Sequence, residues 1–207
     1  MLQVARLAPK SLQQSAENVE RFVRSRLAPG GGFTDRLGEP DLYYTVFGLS
    51  CLEALRAEVP LDDLRRYLAG FRSPAKLDFV HLSSLSRCWA SLPAEELPAD
   101  LRAAMLAAAD AYRAADGGYH NVSKGADRGT AYGAFLGLGL HQDLGAELPD
   151  EDAYVSALQA FALPDGSYAN EPGMERGLTT TTAGAVAALR NLRRPAPPGA
   201  ADWLLAR

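Results

Sequence analysis

A glycine corner followed by an aromatic residue recurs three times, and it limits this chain more than any other feature. One copy is Asp116-Gly117-Gly118-Tyr119, then Arg128-Gly129-Thr130-Ala131-Tyr132 and a small, apolar run to Leu140. An earlier copy is Gly31-Gly32-Phe33, then Asp41-Leu42-Tyr43-Tyr44-Thr45 and an apolar run to Leu55. A later copy is Asp165-Gly166-Ser167-Tyr168, then Leu178-Thr179-Thr180-Thr181-Thr182 and an apolar run to Leu192. Each reads as helix, corner, polar loop, second helix. Helical hairpins repeating every 40–50 residues or so build a solenoid or a closed ring of hairpins.

Periodicity fills in the hairpins. Val19, Phe22, Val23 and Leu27 share one face of a first helix over about 15–27, ended by Pro29-Gly30-Gly31-Gly32. Asp41 is an N-cap for a second helix whose apolar residues cover most of its circumference, the pattern of a helix that lies inside. In the second hairpin Arg72-Ser73-Pro74 stands where the glycine corner would be, and Asp78 caps a helix with Phe79, Val80, Leu82, Leu85 and Trp89. The third hairpin starts after Pro98. Its second helix, from Thr130, carries Gly133, Gly137 and Gly139, which mark either close packing or space for a ligand. The fourth starts at Pro149-Asp150-Glu151, and its second helix runs over about 180–193. The run Thr179–Thr182 reads as a capped, β-branched first turn or as a hydroxyl-lined mouth. Residues 200–207 read as the first turns of a fifth outer helix. The fold class expected is all-α: residues 15–207 as one domain of four hairpins plus a terminal helix, preceded by an extension over 1–14.

Composition narrows the function. With 207 residues, 47% hydrophobic and 22% charged, the chain is long enough for a sizeable core and too apolar for disorder. A net charge of −4 gives no footprint for nucleic acid. No run approaches the 20 or so apolar residues of a membrane span, and no apolar core follows Arg6 and Lys10 as in a signal peptide. Cys51 and Cys88 lie in apolar helical stretches and read as buried, reduced thiols of a cytoplasmic protein. There is no P-loop and no Gly-x-Ser-x-Gly elbow. The histidines His81, His120 and His141 lack metal-ligand spacing.

These motifs resemble the α/α-toroid superfamily of protein prenyltransferase β subunits and squalene/oxidosqualene cyclases over roughly residues 15–207. Gln159…Asp165-Gly166-Ser167-Tyr168 is similar to the cyclases' repeated glutamine–glycine–aromatic motif, with Tyr for the usual Trp. The glycine corners with Asp41-Leu42-Tyr43-Tyr44-Thr45 look more like the prenyltransferase β subunits. The resemblance implies an α/α toroid, here a partial barrel, whose inner helices begin around one cavity. It implies zinc ligands at those beginnings. Asp41 and His81 match two of them, but Tyr43 replaces the expected cysteine, and a phenol is a poor substitute for a thiolate. Zinc is therefore not expected, and Asp41 and Asp78 read equally well as helix caps. The family's diphosphate pocket maps onto Arg36, Lys124, Arg128 and Tyr132, with Asp41, His81 and Tyr44 as its catalytic positions. The cyclases' aspartate-rich acid has only Pro149-Asp150-Glu151-Asp152 as a counterpart, at the head of an outer helix.

The resemblance implies a prenyltransferase-β-like protein that holds an isoprenoid diphosphate or related lipid and transfers a prenyl group. A non-catalytic toroid used as an interaction module is the second expectation, and terpene cyclisation the third. Four hairpins are fewer than the five to seven with which the family closes its ring. A homodimer or partner subunit is therefore expected to cover an open edge.

Overall fold

The computed structural model describes Leu12 and residues 15–207; most of the extension expected over 1–14 lies outside the described residues. The chain is mostly helical. In order it forms α1 (Ser15–Arg24), two short strands β1 (Phe33–Thr34) and β2 (Pro40–Asp41), and α2 (Leu42–Leu55). Then come α3 (Leu61–Leu68), α4 (Phe79–Trp89), α5 (Ala99–Asp110), α6 (Ala131–Asp143), α7 (Glu151–Gln159), α8 (Thr179–Asn191) and α9 (Ala200–Leu205). It divides into two compact units, Met1–Pro74 with Ser84–Arg102, and Ala75–Ser83 with Ala103–Arg207. No described helix is long and apolar enough to cross a membrane.

The three corners share one hydrogen-bond pattern. Gly31 N–H donates to Ala28 O, Ala28 N–H to Gly32 O and Thr34 N–H to Arg26 O. The same three bonds recur as Gly117 to Ala114, Ala114 to Gly118 and His120 to Tyr112. They recur again as Gly166 to Leu163, Leu163 to Ser167 and Ala169 to Phe161. This is a three-residue β-hairpin loop whose last residue must be left-handed, and Gly31, Gly117 and Gly166 have φ of 87°, 88° and 85°. Pro29 and Pro164 sit at the loop's first position, where a fixed φ near −65° suits the turn. The hairpin also corrects the expected end of the first helix. Leu27 leaves the helix to pair with Phe33 across an isolated bridge.

In the first unit α1 packs on α2, and Val23, Leu49 and Leu52 of these helices are buried. Thr45 Oγ1 accepts the Phe33 N–H at 2.8 Å and donates to Asp41 O at 2.6 Å, which fixes the corner to the first turn of α2. The Phe33 ring lies over Gly48, and a Cβ there would overlap it. The α3 backbone at Asp63 closes over Gly31, and the Tyr67 ring covers Gly32. The space among Phe33, Thr45, Leu49 and Leu64 has no room for a water molecule. Arg65 joins α3 to Glu96 through two hydrogen bonds of 2.7 Å.

In the second unit the same moves recur. The Tyr119 ring covers Gly137, and Gly133 abuts the Tyr119 carbonyl. Of the two readings of the α6 glycines, close packing holds for these two. Tyr168 N–H donates to Thr182 Oγ1 at 2.9 Å, the counterpart of Phe33 and Thr45. The threonine run therefore anchors a corner through Thr182, while the N-cap of α8 is Leu178, which makes no side-chain cap. Phe79 stacks on Tyr112 at 4.7 Å and on Tyr119 at 5.7 Å. The α9 backbone at Gly199 and Ala200 seats on Gly166, and Trp203 Nε1 donates to Asp165 at 2.9 Å. Hydrogen bonds from the Ser167 hydroxyl and N–H, then from Trp203, hold the Asp165 carboxyl below its ordinary range.

Two corner aromatics carry hydroxyls that the first does without. Tyr119 and Tyr168 are buried with no hydrogen-bond partner for their oxygens among the described residues, and burial pushes both phenols up to about 12. Deleting an unpaired buried polar group removes a desolvation cost. Tyr168→Phe is thus expected to be neutral or to stabilise by up to about 1 kcal/mol, read as a thermal or urea midpoint. A loss larger than that would show that the oxygen has a partner.

Candidate ligand-binding site

The sequence-derived site residues fall in both units. Arg36, Asp41 and Tyr44 belong to the first, and His81, Lys124, Arg128 and Tyr132 to the second. Within each unit their local roles are clear.

In the first unit Asp41 caps α2, its Oδ1 accepting the Tyr44 N–H at 2.9 Å. Arg36 is exposed in the hairpin tip between β1 and β2, where Asp35 Oδ1 accepts the Leu37 and Glu39 N–H groups. Tyr44 is half-buried and meets Tyr43 edge-on, and Tyr43 in turn meets Phe47. The sequence expects α2 to be enclosed on all sides. The structure buries Leu42, Leu49 and Leu52 but leaves Phe47 55% exposed beside Tyr43.

In the second unit Asp78 caps α4. Its Oδ1 accepts the His81 N–H at 2.8 Å and meets the His81 Nδ1 at 2.9 Å. Burial alone would raise the Asp78 carboxyl, but the hydrogen bonds from His81 and its charge outweigh that and hold it low. Two donors do not make a zinc site, and among the described residues no three His, Cys, Asp or Glu side chains gather as one. Lys124 is exposed in the loop, with its Nζ 5.1 Å above the Tyr112 ring. Arg128 is exposed just before the α6 N-cap Thr130. His141 is buried on α6 beside Tyr119, its Nδ1 2.9 Å from Gly137 O, and burial lowers its pKa.

The start of α6 differs from an ordinary anion site. Its first N–H groups are already taken: Ala131 donates to Asn170 O, Tyr132 to Asn170 Oδ1 and Gly133 to Thr130 Oγ1. Thr130 Oγ1 itself donates to Asn121 Oδ1 at 2.7 Å. With these three N–H groups committed, the helix start offers an anion less than a bare N-terminus would. Asn121 and Asn170 are the residues the sequence reading missed. The signal was present, since Tyr119-His120-Asn121 and Tyr168-Ala169-Asn170 put asparagine two places after the aromatic in both corners.

Beyond this start, α6 packs against α8 and shows a mixed aromatic and small surface. Tyr132 is half-buried and Phe135 is 37% exposed, with Gly184 of α8 3.5 Å from the Phe135 ring if given a Cβ. Leu178 and Met174 are also partly exposed. A separate open depression of about 560 Å³ lies outside the third corner, lined by Asp110, Arg113, Asp116 and Asp150 among others. Three carboxylates against one guanidinium make it the wrong sign for a diphosphate. The acids near Pro149 serve α7: Asp150 Oδ1 accepts the Ala153 N–H, and Arg194 bonds Glu151 and Asp152.

No family model matches this chain, and no curated protein sequence matches it. Fold and site together define a predominantly helical protein whose hairpins turn at a recurring glycine corner.

Proposed function

We propose that the protein is a small prenyltransferase-β-like member of the α/α-toroid class that binds an isoprenoid diphosphate or related lipid. Arg128 and Lys124 hold the head group, with Tyr132 beside them, and Arg36 occupies the corresponding loop of the first hairpin. The observation that carries this reading is the pairing of uncommitted charge with open apolar surface at one helix start. Arg128 is exposed and bonds no carboxylate among the described residues, while Phe135 lies partly exposed on the following turns of the same helix. An amphiphile with an anionic head has use for both. Transfer would proceed by stabilising the departing diphosphate with the charge of Arg128 and Lys124.

A second reading, a non-catalytic interaction module, is favoured by the commitment of Asp41 and Asp78 to helix capping. Calorimetry with farnesyl and geranylgeranyl diphosphate separates the two. The first reading expects binding that Arg128→Ala weakens by about tenfold, as for loss of one charge-assisted contact. Absence of heat with either compound would favour the interaction module, with a homodimer or partner subunit seated on the exposed faces.

A further inference from the structure

Two asparagines fasten the start of α6, and their hydrogen bonds fix which end of each carboxamide faces the helix. Asn170 Oδ1 accepts the Tyr132 N–H at 3.0 Å, and Asn170 O accepts the Ala131 N–H at 3.1 Å. A backbone N–H can donate only to the oxygen end of the amide, so the Asn170 NH2 is the end turned from Tyr132. Asn121 Oδ1 accepts the Thr130 hydroxyl at 2.7 Å, and the same hydroxyl oxygen accepts the Gly133 N–H at 2.9 Å. Reversing the Asn121 amide would leave the buried Thr130 hydroxyl hydrogen without that acceptor. Each asparagine therefore commits its carbonyl oxygen to the helix start and keeps its NH2. Neither NH2 donates to a group among the described residues, and both side chains belong to half-buried residues that reach solvent.

Carboxylates fill this role at the other side-chain-capped helix starts. Asp41, Asp78 and Asp150 accept first-turn N–H groups of α2, α4 and α7. Asp35 also stands two places after its corner aromatic, where the other two corners have Asn121 and Asn170. Aspartate caps a helix as well as asparagine does, and its charge suits the positive end of the helix better. If α6 needed acceptors alone, aspartate would serve it. Its capping groups are instead neutral, and two of them carry spare donors. Upstream, the Asp116 carboxylate is taken up by the Gly118 and Gly129 N–H groups. We infer that Asn121 and Asn170 are ligand-binding residues whose NH2 groups donate to the phosphoryl oxygens of the bound head group. The inference rests on the proposed diphosphate reading and deepens it. Arg128 and Lys124 supply charge, and the two amides supply fixed, directional donors in place of the committed helix N–H groups.

Aspartate keeps the accepting oxygen and removes both donors, so it separates capping from binding. Asn121→Asp and Asn170→Asp should keep the wild-type urea midpoint or raise it, while each weakens farnesyl diphosphate and inorganic pyrophosphate by about tenfold. Val122→Asp and Met174→Asp add the same charge to the same two loops without removing a donor, and should weaken binding by no more than about twofold at physiological salt. Side-chain amide NMR of the full wild-type chain reads the contact directly: inorganic pyrophosphate should shift the NH2 signals of both asparagines. Farnesyl diphosphate that binds without moving those signals overturns the inference and leaves the functional reading standing. So do charge controls that cost as much affinity as the asparagine variants. Pyrophosphate that moves both signals while farnesyl diphosphate binds no more tightly than pyrophosphate supports the donors and overturns the isoprenoid reading. If neither compound binds, both fall.

Discussion

Replacing Gly31 with alanine is expected to destabilise the protein by about 4 kcal/mol, the sum of left-handed strain and overpacking against an immovable neighbour. The glycine has φ of 87°, and a Cβ on it would overlap the Asp63 carbonyl in α3. That carbonyl belongs to helix backbone, so relief requires α3 to move away from the corner. Gly38 separates the two terms. It has φ of 90° in the hairpin tip but open space around it, so Gly38→Ala should cost only the strain, about 1–2 kcal/mol. Gly166→Ala keeps the test readable should the Gly31 variant fail to fold, because its Cβ would lie 2.7 Å from Gly199 at the shorter α9. Urea midpoints for the three variants measure this. Equal losses at Gly31 and Gly38 would mean that the corner is not a seat for the next helix.

The corner explains what the sequence could disclose. A left-handed third position, a proline at the first and an aromatic just after are local demands, so they leave a local trace. Caps are local too: Asp41, Asp78, Thr130 and Asp150 each stand at or beside the start of the helix they were expected to begin, and each accepts an N–H three residues on. Partners distant in sequence left a fainter trace. Nothing near Tyr132 points to Asn170, 38 residues away, as the acceptor of its N–H. Nothing near Asp165 points to Trp203. The role of Thr182 was legible only by comparing copies, since Thr45 takes the corner N–H in the first hairpin. The openness of α2 was not legible at all. An apolar circumference states what a helix can bury, whereas Phe47 remains exposed because burial depends on what else is present.

The glycines of α6 bear directly on whether this helix makes room for a ligand. Alanine is favoured over glycine in a helix interior by about 1 kcal/mol, so propensity alone would have Gly133→Ala stabilise the protein. Packing argues the other way. A Cβ at Gly133 would overlap the Tyr119 carbonyl oxygen, which already accepts the Thr130 N–H at 2.8 Å. Moving that carbonyl would break the bond that joins the corner to the N-cap of α6. Overpacking against backbone and loss of one buried hydrogen bond together cost about 3–5 kcal/mol, which exceeds the propensity gain. The expected result is a net loss of about 2–4 kcal/mol in urea denaturation, with or without farnesyl diphosphate present. If Gly133→Ala instead kept its stability and lost only diphosphate binding, the glycine would be making space for ligand. The second helix of the hairpin would then be a wall of the binding site and not the backing of a corner.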